Sequence, residues 1–341
     1  MNQTNNDSAH APVAVVGAGS WGTALAIQFA RAGHPTRLWT RNAADADSMR
    51  AARQNIRYLP DAKFPDAIEV HTDLASAVRD CVAIIIAVPS HGLRAMLVQL
   101  KPLLARDARL AWATKGFELD TGKLPHQVAY DVLGDRYPVA VLSGPTFARE
   151  VGAGLPTAMT IASPDAEFAN QLAMSLHAPN FRAYTSTDIV GVEVGGAVKN
   201  VLAVGAGLCD GLGFGANTRI ALITRGLSEV VRLGVALGAQ AETFMGLAGL
   251  GDLVLTSTDN QSRNRRFGLA LAAGKNVETA LREIGQVVEG YSAARAVHLV
   301  AQRERVEMPI VHGIYRILYE SEPARDVVKD LMTRPIRPEV E

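Results

Sequence analysis

Cysteine is scarce in this chain. There are two, Cys81 and Cys209. Neither belongs to a CxxC pair, which argues against a cysteine-ligated metal, and no metal centre is expected. Both stand in apolar surroundings and read as small buried side chains of a reducing compartment. Net charge is lacking as well, because 34 Lys plus Arg balance 34 Asp plus Glu. That balance argues against nucleic acid or a membrane surface as the main partner, and leaves room for a local basic pocket around a small anion. The polar opening MNQTNNDSAHA has neither a basic start nor an apolar core, so no secretion signal is expected there. The longest apolar run, 81–89, is too short to span a bilayer. Internal repeats, low-complexity segments and flexible linkers are missing too. Together these absences lead us to expect a cytoplasmic protein without a membrane span.

What is present is a large apolar fraction, 48% of 341 residues, enough for two domains of ordinary size. The first half alternates short apolar runs with amphipathic stretches. Strands are expected at 13–17, 36–40, 82–88, 109–114, 139–143, 157–162 and 182–184. Helical patterns at 22–32, 74–79, 93–104 and 166–176 lie between most of them, with Asp73 and Asp165 placed as N-caps. The run 83–88, AIIIAV, lacks polar alternation and reads as a central parallel strand buried on both faces. Such alternation implies a doubly wound parallel sheet. From about residue 187 no strand is evident, only Ala/Leu/Gly-rich helical stretches at 190–204, 219–237, 266–273 and 291–303. The expected division is an α/β domain over 1–186 and an all-α domain over 187–341, with substrate in the cleft between them.

The α/β half carries a specific local signal. Residues 12–26 read PVAVVGAGSWGTALA: an apolar strand, a glycine turn and the start of a helix. Gly17 permits the turn, Gly19 removes a Cβ so that a pyrophosphate can approach the backbone, and Gly22 lets helix pack on strand. Free N–H groups of the first helical turn, aided by the helix dipole, would face the phosphates. The bland alternative is an ordinary glycine-rich turn. The context on both sides favours a Rossmann-type dinucleotide site. At the end of the second strand no acid occurs until Asp45, while Arg41 stands where a 2′-phosphate would lie. NADPH is therefore favoured over NADH, unless Arg41 is merely a solvated surface charge.

Three further segments follow expected strands, where ligands bind in such sheets: VPSH at 88–91, TKG at 114–116 and SGPT at 143–146. His91 alone reads as a helix-start or surface histidine. Lys115, directly after an apolar strand, is the better candidate. In the helical half, Lys199 and Asn200 interrupt the apolar stretch VGVEVGGAVKNVL. Lys199 either snorkels to water or projects into a closed cleft, where desolvation would lower its pKa and fit it for proton transfer. Asp252 follows the glycine-rich GLAGLG. Shortly afterwards Ser262, Arg263 and Asn264 could grip a phosphate, or could simply decorate the surface.

Taken in order, GAGSWGTALA, VPSH, ATKGFE, SGPTFARE, EVGGAVKNVLAVGAGLCDGL, NTRIALITRGL, MGLAGLGDLVLTSTDNQSRNRRFG and VVEGY resemble the bacterial NAD(P)-dependent sn-glycerol-3-phosphate dehydrogenases over nearly the whole chain. The resemblance implies that Ser20, Trp21 and Arg41 contact the dinucleotide, as do Ala148, Val287 and Glu289. It implies that Lys115 and Arg263 touch both cofactor and substrate. Gly144, Thr146, Asp252, Ser262 and Asn264 would contact substrate, and Lys199 would be both substrate contact and proton acceptor. The implied reaction is reversible reduction of dihydroxyacetone phosphate to sn-glycerol 3-phosphate with NADPH or NADH, serving phospholipid synthesis. Asp252 would hold either Lys199 or a substrate hydroxyl. The stretch 42–47 and the polar opening add nothing recognisable. A related β-hydroxyacid dehydrogenase would share the glycine turn and a helix lysine but not the SRN and GLGD segments. A non-catalytic redox sensor would not need Lys115, Lys199 and Asp252 together. A homodimer is plausible because long apolar helices often pair, although no distinct interface pattern is present.

Overall fold

Short β-branched runs form strands in the first half, and the computed structural model, which describes residues 11–335 and 338, joins them into one eight-stranded sheet. The polar opening 1–10 lies outside the described residues. The strands are β1 (Val13–Val16), β2 (Thr36–Trp39), β3 (Ile68–His71), β4 (Ala83–Ile86), β5 (Leu110–Trp112), β6 (Val139–Ser143), β7 (Thr157–Ala162) and β8 (Phe181–Ser186). Their spatial order is β3-β2-β1-β4-β5-β6-β7-β8. The order reverses between β1 and β4, and a crevice opens beyond the carboxyl ends of the strands at such a switch point. Around the sheet lie α1 (Ser20–Arg31), α2 (Ala43–Ala52), α3 (Leu74–Val78), α4 (Ser90–Leu100), α5 (Pro125–Leu133), α6 (Ala148–Ala153) and α7 (Ala166–Leu176). Asp73 and Asp165 cap as expected, accepting bonds from the Ser76 and Phe168 N–H groups at 2.8 and 3.0 Å.

Helix α2 was not expected from the stretch 42–47, and two features of the sheet also depart from the sequence reading. The edge strand β3 was not anticipated: IEVH is only four residues long, and its buried positions are just Ile68 and Val70. The sheet is also not parallel throughout. β7 runs antiparallel to β6, with Leu142 opposite Ile161, and β8 runs parallel to β7. A parallel crossover needs a helix long enough to return along the sheet. The six residues of α6 rise only about 9 Å, short of a five-residue strand of ~17 Å, so the chain re-enters from the same end.

The helical half comprises α8 (Ile189–Gly211), α9 (Gly215–Ala236), α10 (Asp252–Thr258), α11 (Arg263–Ala272), α12 (Val277–Ile284), α13 (Glu289–Glu304), α14 (Pro309–Tyr319) and α15 (Ala324–Met332). Among the described residues no strand follows Ser186. Helix α8 is the axis. Its first turns, through Ile189 and Val192, join the core on one face of the sheet, while Val198, Leu202 and Leu208 join that of the helical half. Each such side chain, fully buried, contributes ~1.5–3 kcal/mol. By length and mean hydropathy α8 is the one helix among the described residues long enough to cross a bilayer, yet it is buried along almost its whole length. No uninterrupted apolar run marked it, because Glu193 and Lys199 lie within it.

Candidate active site

The glycine turn after β1 is closed on its inner side and open outward. Gly17 has φ +116°, a conformation L side chains rarely adopt. A Cβ on Gly22 would stand 1.9 Å from the Gly17 carbonyl oxygen, so only glycine lets α1 begin here. A Cβ on Gly19 would meet nothing within 4 Å. Gly19 is the N-cap of α1 and supplies no side-chain acceptor, which leaves the first N–H groups of the helix for a ligand. Beside them the indole Nε1 of Trp21 is buried without a partner. Open backbone donors, an orphaned indole donor and a cradle that excludes Cβ atoms fit a dinucleotide phosphate.

From this turn a cavity of about 750 Å³ extends to the helical half. Two lysines from distant parts of the chain converge on one carboxylate in its wall. Lys115, in the loop after β5, donates to Asp252 Oδ2 at 2.7 Å. Lys199, on α8, donates to Asp252 Oδ1 at 2.6 Å and to the Thr256 hydroxyl at 2.8 Å. Asp252 opens α10 just after a π turn at Leu247–Gly251, and such turns recur at functional sites. Burial alone would raise the Asp252 carboxyl, but the two ammonium groups outweigh it and hold Asp252 below the usual carboxylate range. Burial also dominates at Lys199. It pushes the ammonium down to about 8, against the pull of Asp252 and with the help of the neighbouring Lys115 charge. An amine in that range changes protonation near neutrality, as a general acid or base must.

The N-terminus of α11 also lines the cavity. Ser262 caps this helix by accepting the Arg265 N–H at 3.2 Å, and Arg263 and Asn264 face the cavity. Positive helix dipole, guanidinium and amide donor together suit a phosphate. Among the described residues Arg263 is lightly tied, donating only to Gln286 Oε1 at 3.4 Å. Asn264 is fixed: it donates to Asn200 Oδ1 at 2.8 Å and accepts from the Gly290 N–H at 2.9 Å. Asn200 in turn donates to Glu289 Oε2 at 3.2 Å. This chain of bonds ties α8, α11 and α13 together around the cavity.

Of the residues expected from sequence, the cavity gathers Ser20, Trp21, Lys115, Thr146, Ala148, Lys199, Asp252, Ser262, Arg263, Asn264 and Glu289. Gly17, Gly19 and Gly22 form the turn behind it, and Gly144, at φ +144°, opens the loop that carries Thr146 and leads to Ala148 at the start of α6. Arg41 and Val287 are exposed and outside its lining, as is His91 in the first turn of α4. Sequence reasoning passed over Thr256. Its signal was available, because it follows Asp252 by four positions in a helix and so shares its face.

Comparison with known proteins agrees with this architecture. The family model for the N-terminus of NAD-dependent glycerol-3-phosphate dehydrogenase matches residues 12–169, and that for its C-terminus matches 188–329. A glycerol-3-phosphate dehydrogenase [NAD(P)+] of Idiomarina loihiensis is 56% identical over 323 residues, covering 94% of this chain and 97% of the relative. One of Vibrio cholerae is 54% identical over 338 residues, covering 98% of each. The crystal structure of glycerol-3-phosphate dehydrogenase from Coxiella burnetii superposes with a TM-score of 0.92 at 45% identity, over 96% of this chain and all of that one.

Proposed function

We propose that Lys199, Lys115 and Asp252 are the reaction centre of this chain, which belongs to the NAD-dependent glycerol-3-phosphate dehydrogenase family. The protein is an oxidoreductase that reduces dihydroxyacetone phosphate to sn-glycerol 3-phosphate with NADH or NADPH, reversibly. The observation that carries the assignment of residues is the convergence of two lysines on one buried carboxylate, in a cavity also lined by a helix N-terminus suited to phosphate.

The reduced nicotinamide, when bound, supplies the hydride. Gly17, Gly19, Gly22, Ser20 and Trp21 hold the dinucleotide, with Ala148, Val287 and Glu289 completing its contacts. Ser262, Arg263 and Asn264 anchor the substrate phosphate at the start of α11, and Gly144 and Thr146 bound the substrate on the sheet side. That grip orients the carbonyl toward Lys199 and Lys115. Lys199, protonated, gives its proton to the nascent alkoxide oxygen. In oxidation neutral Lys199 takes the hydroxyl proton. Asp252 holds Lys199 through Oδ1 and Lys115 through Oδ2. Lys115 keeps a positive charge beside the carbonyl oxygen, where negative charge develops. Arg41, with no partner among the described residues, is free to meet a 2′-phosphate, so NADPH is the preferred cofactor.

The functional division falls at about residue 186, with dinucleotide binding over 1–186 and the helical substrate domain over 187–341. Burial pushes the Cys81 and Cys209 thiols up to about 11, which keeps both unreactive. That suits a cytoplasmic enzyme supplying glycerol phosphate to phospholipid synthesis. The deciding experiment is a spectrophotometric substrate panel with NADPH and NADH. Rapid turnover of dihydroxyacetone phosphate and none of several keto acids is expected. Preference for a keto acid would instead indicate a β-hydroxyacid dehydrogenase, and tight NADPH binding without turnover would indicate a sensor.

A further inference from the structure

A second buried acid lies behind the lysines, and the reaction does not touch it. Glu193 on α8 is fully enclosed. One carboxylate oxygen accepts from Trp112 Nε1 at 2.8 Å and from the His126 backbone N–H at 3.0 Å. The other shares a 2.6 Å hydrogen bond with His126 Nδ1, and Tyr130 packs edge-on against that ring. Burial pushes the Glu193 carboxyl above its ordinary range, and the bonds from His126 and Trp112 only partly offset that. The partners all belong to the sheet side. Trp112 ends β5, three positions before Lys115, and His126 lies in the first turn of α5. Glu193 precedes Lys199 by six positions on the same helix, about 9 Å along it. Between them Gly196 faces the Lys115 stem: a Cβ there would stand 3.4 Å from Lys115 Cγ and 3.3 Å from the Ser143 hydroxyl. Successive turns of α8 thus meet Trp112, then the Lys115 stem, then Asp252.

We infer that Glu193 is a positioning residue, whose bonds to Trp112 and His126 fix α8 against the end of β5 so that Lys115 and Lys199 meet on the two oxygens of Asp252. The inference rests on the reading of those lysines as the reaction centre. Bonds to α5 and β5 set the relative placement of two lysines that share no covalent or helical tie of their own. Misplacement of a reacting group by about 1 Å can lower turnover ~100-fold.

The test uses the full chain with Glu193→Gln, Trp112→Phe and, as a control on the reaction centre, Lys199→Met. The glutamine keeps the volume and still accepts from Trp112 and the His126 N–H; its NH2 breaks the bond to His126 Nδ1 where that nitrogen carries the proton and keeps it in the other tautomer, whereas Trp112→Phe breaks a bond in either case. Trp112→Phe keeps an aromatic ring and removes the indole donor. Both variants are expected to lose about 10- to 100-fold in kcat for dihydroxyacetone phosphate, with NADPH affinity retained. The alkaline limb of kcat against pH should also move, because Lys199 no longer sits at its wild-type distance from Asp252. A merely structural Glu193 would lower the melting temperature and leave kcat and that limb unchanged per folded molecule, and this result would overturn the inference. If Glu193→Gln does not fold, Trp112→Phe decides alone. If Lys199→Met retains turnover, the reading of the reaction centre fails, whatever the Glu193 variant does.

Discussion

Replacing Lys199 by methionine is the sharpest perturbation of this site. Methionine keeps most of the bulk of the stem and removes the charge. The buried Asp252 then loses its 2.6 Å partner but keeps Lys115 at 2.7 Å. Removing one member of a buried ion pair commonly costs ~3–5 kcal/mol, because the other charge is stranded. Here the carboxylate keeps one ammonium, and a desolvated ammonium disappears with the substitution, so the loss of stability should fall below that range. Turnover is another matter. Hydride arrival leaves an alkoxide that needs a proton in an enclosed cleft, and acid–base groups contribute ~100- to 10,000-fold. The assay is dihydroxyacetone phosphate-dependent oxidation of NADPH, with NADPH binding and melting temperature measured on the same preparation. The expected result is a folded, cofactor-binding protein whose kcat is lower by that factor. A folded Lys199→Met protein that keeps more than about a tenth of wild-type turnover, outside the acid–base range, would refute the proton-transfer role. Lys115 would then be the leading candidate.

The same lysine sets a pH dependence. Because burial pushes Lys199 down to about 8, kcat for reduction should fall as pH rises through about 8, while kcat for oxidation should rise over the same interval; rate profiles in both directions check this. Arg263→Ala should raise KM for dihydroxyacetone phosphate by the equivalent of ~1.5–3 kcal/mol, the scale of a charge-assisted hydrogen bond, and unchanged steady-state kinetics would remove Arg263 from the phosphate grip. Arg41→Ala should weaken NADPH more than NADH, since only NADPH carries the 2′-phosphate; equal losses by titration would make Arg41 a general dinucleotide contact. Gly22→Ala forces a Cβ to within 1.9 Å of the Gly17 carbonyl unless the turn shifts. It should cost ~1–3 kcal/mol by thermal unfolding and impair cofactor binding.

Local features were legible in the sequence, and pairings were not. The segment GAGSWG announces its own structure, because a glycine turn between strand and helix is decided by near neighbours and by Cβ sterics. Asp73 and Asp165 likewise act within three residues of themselves, as caps do, whereas the cap role of Ser262 went unread. The direction of β7 was hidden, since an apolar run looks the same in either orientation and only the shortness of α6 decides it. Lys115 and Asp252 lie 137 positions apart, and Glu193 and Trp112 lie 81 apart. No periodicity reports such contacts. What the sequence did offer was a conflict within α8: Glu193 and Lys199 are charged residues set in an apolar stretch, where helix propensity accepts them but burial does not. Lys199 was noticed for that reason. Glu193 stood in the same stretch under the same conflict, and the structure resolves the two differently. Lys199 reaches the cavity, and Glu193 turns away from it into a closed set of donors. A buried charge in a core helix is therefore a reason to look for partners before assigning chemistry, and the partners of Glu193 lead back to the loop that carries Lys115.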